Sequence, residues 1–124
     1  MYNNKVMQLF KKPKHAGSIK NADGIGEVIN PSCGDSMRVF IKVKNNKISR
    51  IKVQTMGCVV AIASSEALAS IAEGKSISDA EKIKSDDVVK YLGKDIPQEK
   101  VHCSVLAHSA LKKAIEDFKG KNSN

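Results

Sequence analysis

At 124 residues, 41% of them hydrophobic, the chain is one domain that can build a core, and its three cysteines are too few for a disulfide scaffold. The net charge of +8 suits an acidic protein partner, whereas two tyrosines, three phenylalanines and no tryptophan leave no aromatic platform for nucleic acid. No apolar run nears the ~18 residues of a membrane span, and the opening "MYNNKVMQLFKKPK" lacks a signal-peptide pattern, so no nucleic acid, no membrane and a reducing cytoplasm are expected.

In chain order, residues 2–10 place Tyr2, Val6, Leu9 and Phe10 at helical spacing, and residues 11–26 read as a Gly/Asn/Asp-rich loop. A short strand is expected at 26–30. In "SMRVFIKVK" (36–44), Met37, Val39, Ile41 and Val43 alternate with polar residues; after "NNK" the chain returns through 48–55 with Ile51 and Val53 inward, making an antiparallel hairpin. Residues 58–75 are Ala-rich, lack proline and close near Gly74, which predicts a helix. "SDAE" (78–81) has the form of a capping box, and "SDDVVKYLG" (85–93) reads as a helix opened by Ser85 and closed by Gly93. A last helix from about Ser104 puts Leu106, Ala110, Leu111, Ile115 and Phe118 on one face, and residues 120–124 are expected to be a flexible tail. The class is α+β: a small, mostly antiparallel three-stranded sheet packed with helices.

The three cysteines fall at element ends. Cys33 lies in "NPSCGD", Cys58 in "TMGC" and Cys103 in "HCS", the last two at expected helix N-termini, where the dipole and free N–H groups favour thiolate. No C-x-x-C occurs, so spacing alone leaves two readings. The cysteines are small buried hydrophobes, or Asp35 and His102 join them as ligands of a tetrahedral zinc site or a two-iron cluster. His15 and His108 read as surface or packing residues.

In order and spacing, "NPSCGD", "TMGC-x-x-AIASS" and "KVHCSVLA" resemble the three cysteine motifs of the iron–sulfur cluster scaffold family, IscU and the N-terminal domain of NifU. "YNNKV", Pro13 to Gly17 and "IKVKNNKI" extend the resemblance from Tyr2 to about Phe118. The resemblance implies the same α+β fold over one domain. It implies a scaffold, not an enzyme, that assembles a transient [2Fe–2S] cluster from iron (Fe²⁺) and desulfurase-derived sulfur and passes it to acceptor proteins. The implied ligands are Cys33, Asp35, Cys58, His102 and Cys103. Cys103 would also be the persulfide acceptor, its thiolate fraction raised by the helix terminus and His102. Asp35 would keep the cluster labile, and Lys100 would stand just outside the ligands. The implied partners are a cysteine desulfurase, apo iron–sulfur acceptors, an Hsp70-type chaperone and ferredoxin- or frataxin-like proteins.

This ligand set has a chemical logic. With three thiolates the fourth ligand is imidazole or carboxylate, and a hard carboxylate matches a sulfide-rich cluster poorly, which favours release. The same set suits Zn²⁺ in the isolated protein, so a zinc-binding persulfide carrier is the alternative. Met56 stands where the family usually has an aromatic residue, and Val59 and Val60 where it has small ones. The family's "LPPVK" stretch appears as "IPQEK" (96–100). The related SufU branch carries an insertion before the last motif and lacks the histidine, so this chain sits with the IscU type.

Overall fold

The computed structural model describes residues 2–32, 34–93 and 95–122. The alternating stretches become one antiparallel sheet in the order β1 (Gly24–Ile29), β2 (Ser36–Lys44) and β3 (Lys47–Met56). Met37, Val39 and Ile41 pair with Thr55, Val53 and Ile51, and the five apolar residues of these pairs are buried on one face. The hairpin turns on Asn45 and Asn46, both left-handed at φ 54° and 61°, a conformation asparagine tolerates and the strand twist favours. A bulge after Lys42 adds Ser49 to β3, so Val43 pairs with the buried Ile48.

β1 begins two residues before the expected 26, at a glycine that looked like loop. Gly24 and Gly26 are there because the last helix, α5 (His102–Asn122), lies directly on them. A Cβ on Gly24 would stand 2.2 Å from the Ala114 carbonyl oxygen, and one on Gly26 2.1 Å from that of Ala110.

The helices are α1 (Asn4–Lys11), α2 (Val59–Ala72), α3 (Ile77–Ala80), α4 (Ser85–Leu92) and α5 (His102–Asn122). α1 starts later than expected because Asn3 is its cap, accepting the Val6 N–H at 2.8 Å. α2 is shorter than 58–75: Cys58 is its N-cap, and the chain leaves the helix at Glu73 before a left-handed Gly74. Two caps differ from expectation. Ser76, not Ser78, accepts the Asp79 N–H, and α4 is preceded by Lys84, whose N–H donates to Asp87, so Ser85 is already helical. α5 continues to Asn122, so residues 120–122 are helical and not tail; Ser123 and Asn124 lie outside the described residues.

α5 covers β1 and β2, α2 covers β3, and α1 and α4 pack against α2. The opposite sheet face has no helix on it among the described residues. Among the described residues no helix is long and apolar enough to cross a membrane.

Candidate metal centre

One end of the sheet gathers three chain segments. β3 ends at Met56, and Gly57 leads straight into Cys58 at the start of α2. The β1–β2 turn closes through Gly34 N–H to Asn30 C=O and Asn30 N–H to Asp35 C=O, both 2.8 Å, with Gly34 left-handed at φ 78°. A Cβ at Gly57 would lie 2.8 Å from the Asp35 carboxyl carbon, so glycine lets that carboxyl pack against the chain beside Cys58. A 3-10 turn over Gln98–Lys100 then feeds α5, whose first turn holds His102 and Cys103.

Ligand atoms of Asp35, Cys58 and Cys103 all lie within 4.8 Å of one another. The two Sγ atoms are 4.0 Å apart, and Cys103 Sγ is 3.7 Å from His102 Nε2. Two thiolates on a tetrahedral ion with ~2.3 Å bonds stand about 3.8 Å apart, so this pair fits a shared metal with little movement. His102 touches the site through Cys103 and is not within the tight triad. The expected ligand Cys33 lies outside the described residues.

Burial decides the state of Cys103. Its side chain is wholly buried, and desolvation first, then the neighbouring Cys58 and Asp35, push the thiol up from 9.0 to about 12, against the pull of Lys100. The expectation that the helix terminus and His102 raise its thiolate fraction is therefore reversed in the metal-free chain, where desolvation outweighs the dipole. Lys100 is raised, chiefly by Cys58 and further by Tyr2, Cys103 and Asp35, with burial opposing. It stays a cation close enough to Cys58, Cys103 and Asp35 to feel their charge.

Sequence reading missed Glu66. It is 1% exposed in α2, and its carboxyl oxygens accept the backbone N–H groups of Lys14 and His15 at 3.0–3.1 Å and meet His15 Nδ1 at 3.1 Å. Two turns further along the same side, just past the helix end, Glu73 meets His15 Nε2 at 3.3 Å and accepts the Ile51 N–H. His15 is thus a clamp between two carboxyl groups, and it ties α2, the helix that begins beside Cys58, to the segment bonded to Val53 of β3. A lone glutamate inside "ASSEALAS" was the available signal. His108 is half-buried and lines a cleft with Glu81 and Glu116, as a packing residue would.

The whole chain, residues 1–124, matches the family described as NifU-like N terminal domain. It is 49% identical over 122 residues to iron-sulfur cluster assembly scaffold protein IscU 1 of Archaeoglobus fulgidus, covering 98% of this chain and 79% of that one. It is 43% identical over 125 residues to the scaffold protein IscU of Buchnera aphidicola, covering 98% of each. The fold is similar, at a TM-score of 0.76 and 17% identity, to the N-terminal part of a nitrogen-fixing NifU-like protein from Brucella abortus, covering 96% of this chain and 94% of that one.

Proposed function

This chain belongs to the NifU-like N-terminal domain family, and from that premise we propose that it is a scaffold on which an iron–sulfur cluster is assembled and from which it is passed on. The observation that carries the reading is the Asp35–Cys58–Cys103 cluster, with two sulfurs at the separation a shared metal needs. Iron and sulfur are cargo here. Iron entering beside Cys58 displaces thiol protons, and the cation lowers Cys103 from its buried thiol state. The Cys103 thiolate attacks the outer sulfur of a desulfurase persulfide. The S–S bond of the donor breaks, its thiolate leaves, and Cys103 carries a persulfide. Two electrons from a ferredoxin-type donor then convert that sulfur to sulfide bound to iron. Metal therefore precedes sulfur in this order of events.

Cys33 and His102 complete the ligand set, giving a [2Fe–2S] cargo with one exchangeable position. The partners are a cysteine desulfurase, a frataxin- or ferredoxin-like assistant and apo acceptors in the cytoplasm; Pro97 and Lys100 of "IPQEK" offer contact to an Hsp70-type chaperone. The second reading, a zinc-binding persulfide carrier, rests on the same thiol pair, whose spacing suits Zn²⁺ equally.

Anaerobic reconstitution with ferrous iron and a desulfurase tests both. Visible sulfide-to-iron charge-transfer bands should appear in the native chain and be lost in Cys58→Ser and Cys103→Ser. Persulfide on Cys103 with bound zinc and no visible bands supports the carrier; neither metal nor sulfur uptake sinks both.

Asp35→Ala should hold its cluster longer and pass it roughly tenfold more slowly to an apo-ferredoxin, because the hard competitor for iron is gone. If transfer per cluster is unchanged and only the melting point falls, Asp35 serves the turn and not release.

A further inference from the structure

The lysines look scattered along the chain, but the fold collects a group of them. On the helix-free face of the sheet, Lys44 pairs with Lys47 and Lys42 with Arg50, and Lys52 sits opposite Phe40. Between Gly17, bonded to Val53 of β3, and Asp23, bonded to Ile41 of β2, residues 18–22 cross this face, and the Lys42 ammonium donates to the Asn21 carbonyl. That crossing adds the exposed Lys20 and leaves Phe40 and Ile19 buried. Among these six cations the one paired carboxyl is Asp23, 3.7 Å from Lys42. Lys20, Lys44, Lys47 and Arg50 are exposed and have no ion-pair partner among the described residues. The fold thus gathers onto one face cations that the sequence spreads from residue 20 to residue 52.

The same face runs on to the metal centre. Its last cross-strand row is Ile29, Ser36 and Met56, with Ile29 60% and Met56 75% exposed, immediately before Gly57 and Cys58. From Lys44 to Ser36 is eight residues of strand, about 26 Å at ~3.3 Å per residue. A standard interface of ~800 Å² per partner is about 30 Å across, so one partner spans both ends.

We propose that this face is the docking surface for an acidic protein that exchanges the cluster, its carboxylates held by the Lys20–Lys42–Lys44–Lys47–Arg50–Lys52 group while its own metal-binding edge lies over Ile29, Met56 and the thiols. The proposal rests on the scaffold reading for what is exchanged. Charge complementarity names the partner: an uncompensated cationic patch attracts carboxylates or phosphates. Nucleic acid is disfavoured, because the one aromatic on this face, Phe40, is 6% exposed and offers nothing to stack on. The apolar row at the other end also has no use for a phosphate backbone. A protein uses both.

The test is a triple variant, Lys44→Glu, Lys47→Glu and Arg50→Glu, at three exposed positions remote from the cysteines. The probe is a plant-type ferredoxin, an acidic [2Fe–2S] protein, taken apo and dye-labelled. Anisotropy reads binding with or without a cluster, and transfer from the reconstituted chain reads exchange. Native binding and transfer should weaken steeply between low and ~0.5 M salt; the variant at low salt should lose tenfold or more in both and show little salt dependence. Reconstitution with inorganic sulfide should be the same for both chains. Equal binding and transfer by the variant overturns the docking surface. A 20-base-pair DNA that binds the native chain better than the ferredoxin, and is lost in the variant, overturns the partner. Failure of reconstitution in both chains counts against the scaffold reading alone, because the anisotropy arm decides docking without a cluster.

Discussion

Gly26→Val should leave the chain unfolded, and Gly26→Ala should already cost about 3 kcal/mol or more. A Cβ here would stand 2.1 Å from the Ala110 carbonyl oxygen, 2.4 Å from the Ala114 nitrogen and 2.9 Å from Lys113 Cβ. Two of these are helix backbone, which cannot swing aside as a side-chain end does. Relief requires α5 to lift off β1 by more than an ångström, undoing the packing of Ala107, Ala110 and Ala114, all wholly buried. Against a total stability of roughly 5–15 kcal/mol, the larger valine uses up most of what holds the fold. Gly120→Ala is the control, since nothing lies within 4 Å of its Cβ position and alanine is the better helix former. Urea unfolding of the metal-free chain measures both. A Gly26→Ala chain melting within about 2 °C of the native one would show that β1 and α5 are not in close register.

The same close contact explains what could be read from the sequence. β2 and β3 announced themselves because a half-buried strand must alternate, and Met37, Val39, Ile41, Ile51 and Val53 do. β1 was cut short because Gly24 and Gly26 carry no side chain to show a period; what dictates them is a helix eighty-odd residues later, and spacing within a segment holds no trace of that. The caps at Ser76 and Lys84 were misplaced because several serines and aspartates compete in "KSISDAEKIKSDD", and tertiary packing chooses among them. At the metal centre the three motifs pointed to Asp35, Cys58 and Cys103, whose ligand atoms gather within 4.8 Å, and to His102, 3.7 Å from the Cys103 sulfur; Cys33 lies outside the described residues. Their protonation was not legible. The helix terminus could be read, but the depth of Cys103 beneath Cys58 depends on how α2 and α5 pack. Glu66 was hidden for a related reason: its partners are backbone N–H groups of Lys14 and His15, and any residues could have supplied those.

In the metal-free folded chain at pH 8, Cys103 should react with iodoacetamide at least a hundredfold more slowly than the same cysteine in urea. Moving the thiol from 9.0 to about 12 leaves about a thousandfold less thiolate, and complete burial further restricts the reagent. A higher intrinsic nucleophilicity at higher pKa returns part of that factor, which sets the expected floor. The pH profile carries a second signature. In the folded chain the rate should climb about tenfold per unit through pH 9 and 10 with no plateau, whereas the unfolded chain levels off above its ordinary pKa. Linkage gives the matching stability. The folded thiol keeps its proton where the unfolded one has lost it, so this group leaves stability flat below about pH 9 and erodes it from there toward 12, by up to ~1.4 kcal/mol per unit. Metal should protect Cys103 by occupying it, and chelation should restore slow alkylation, not fast. Mass spectrometry of the Cys103 peptide follows each arm. Equal rates in the folded and urea-unfolded chains, or a plateau near pH 9 while folded, would mean that burial does not hold the proton and that sulfur can reach Cys103 before any metal does.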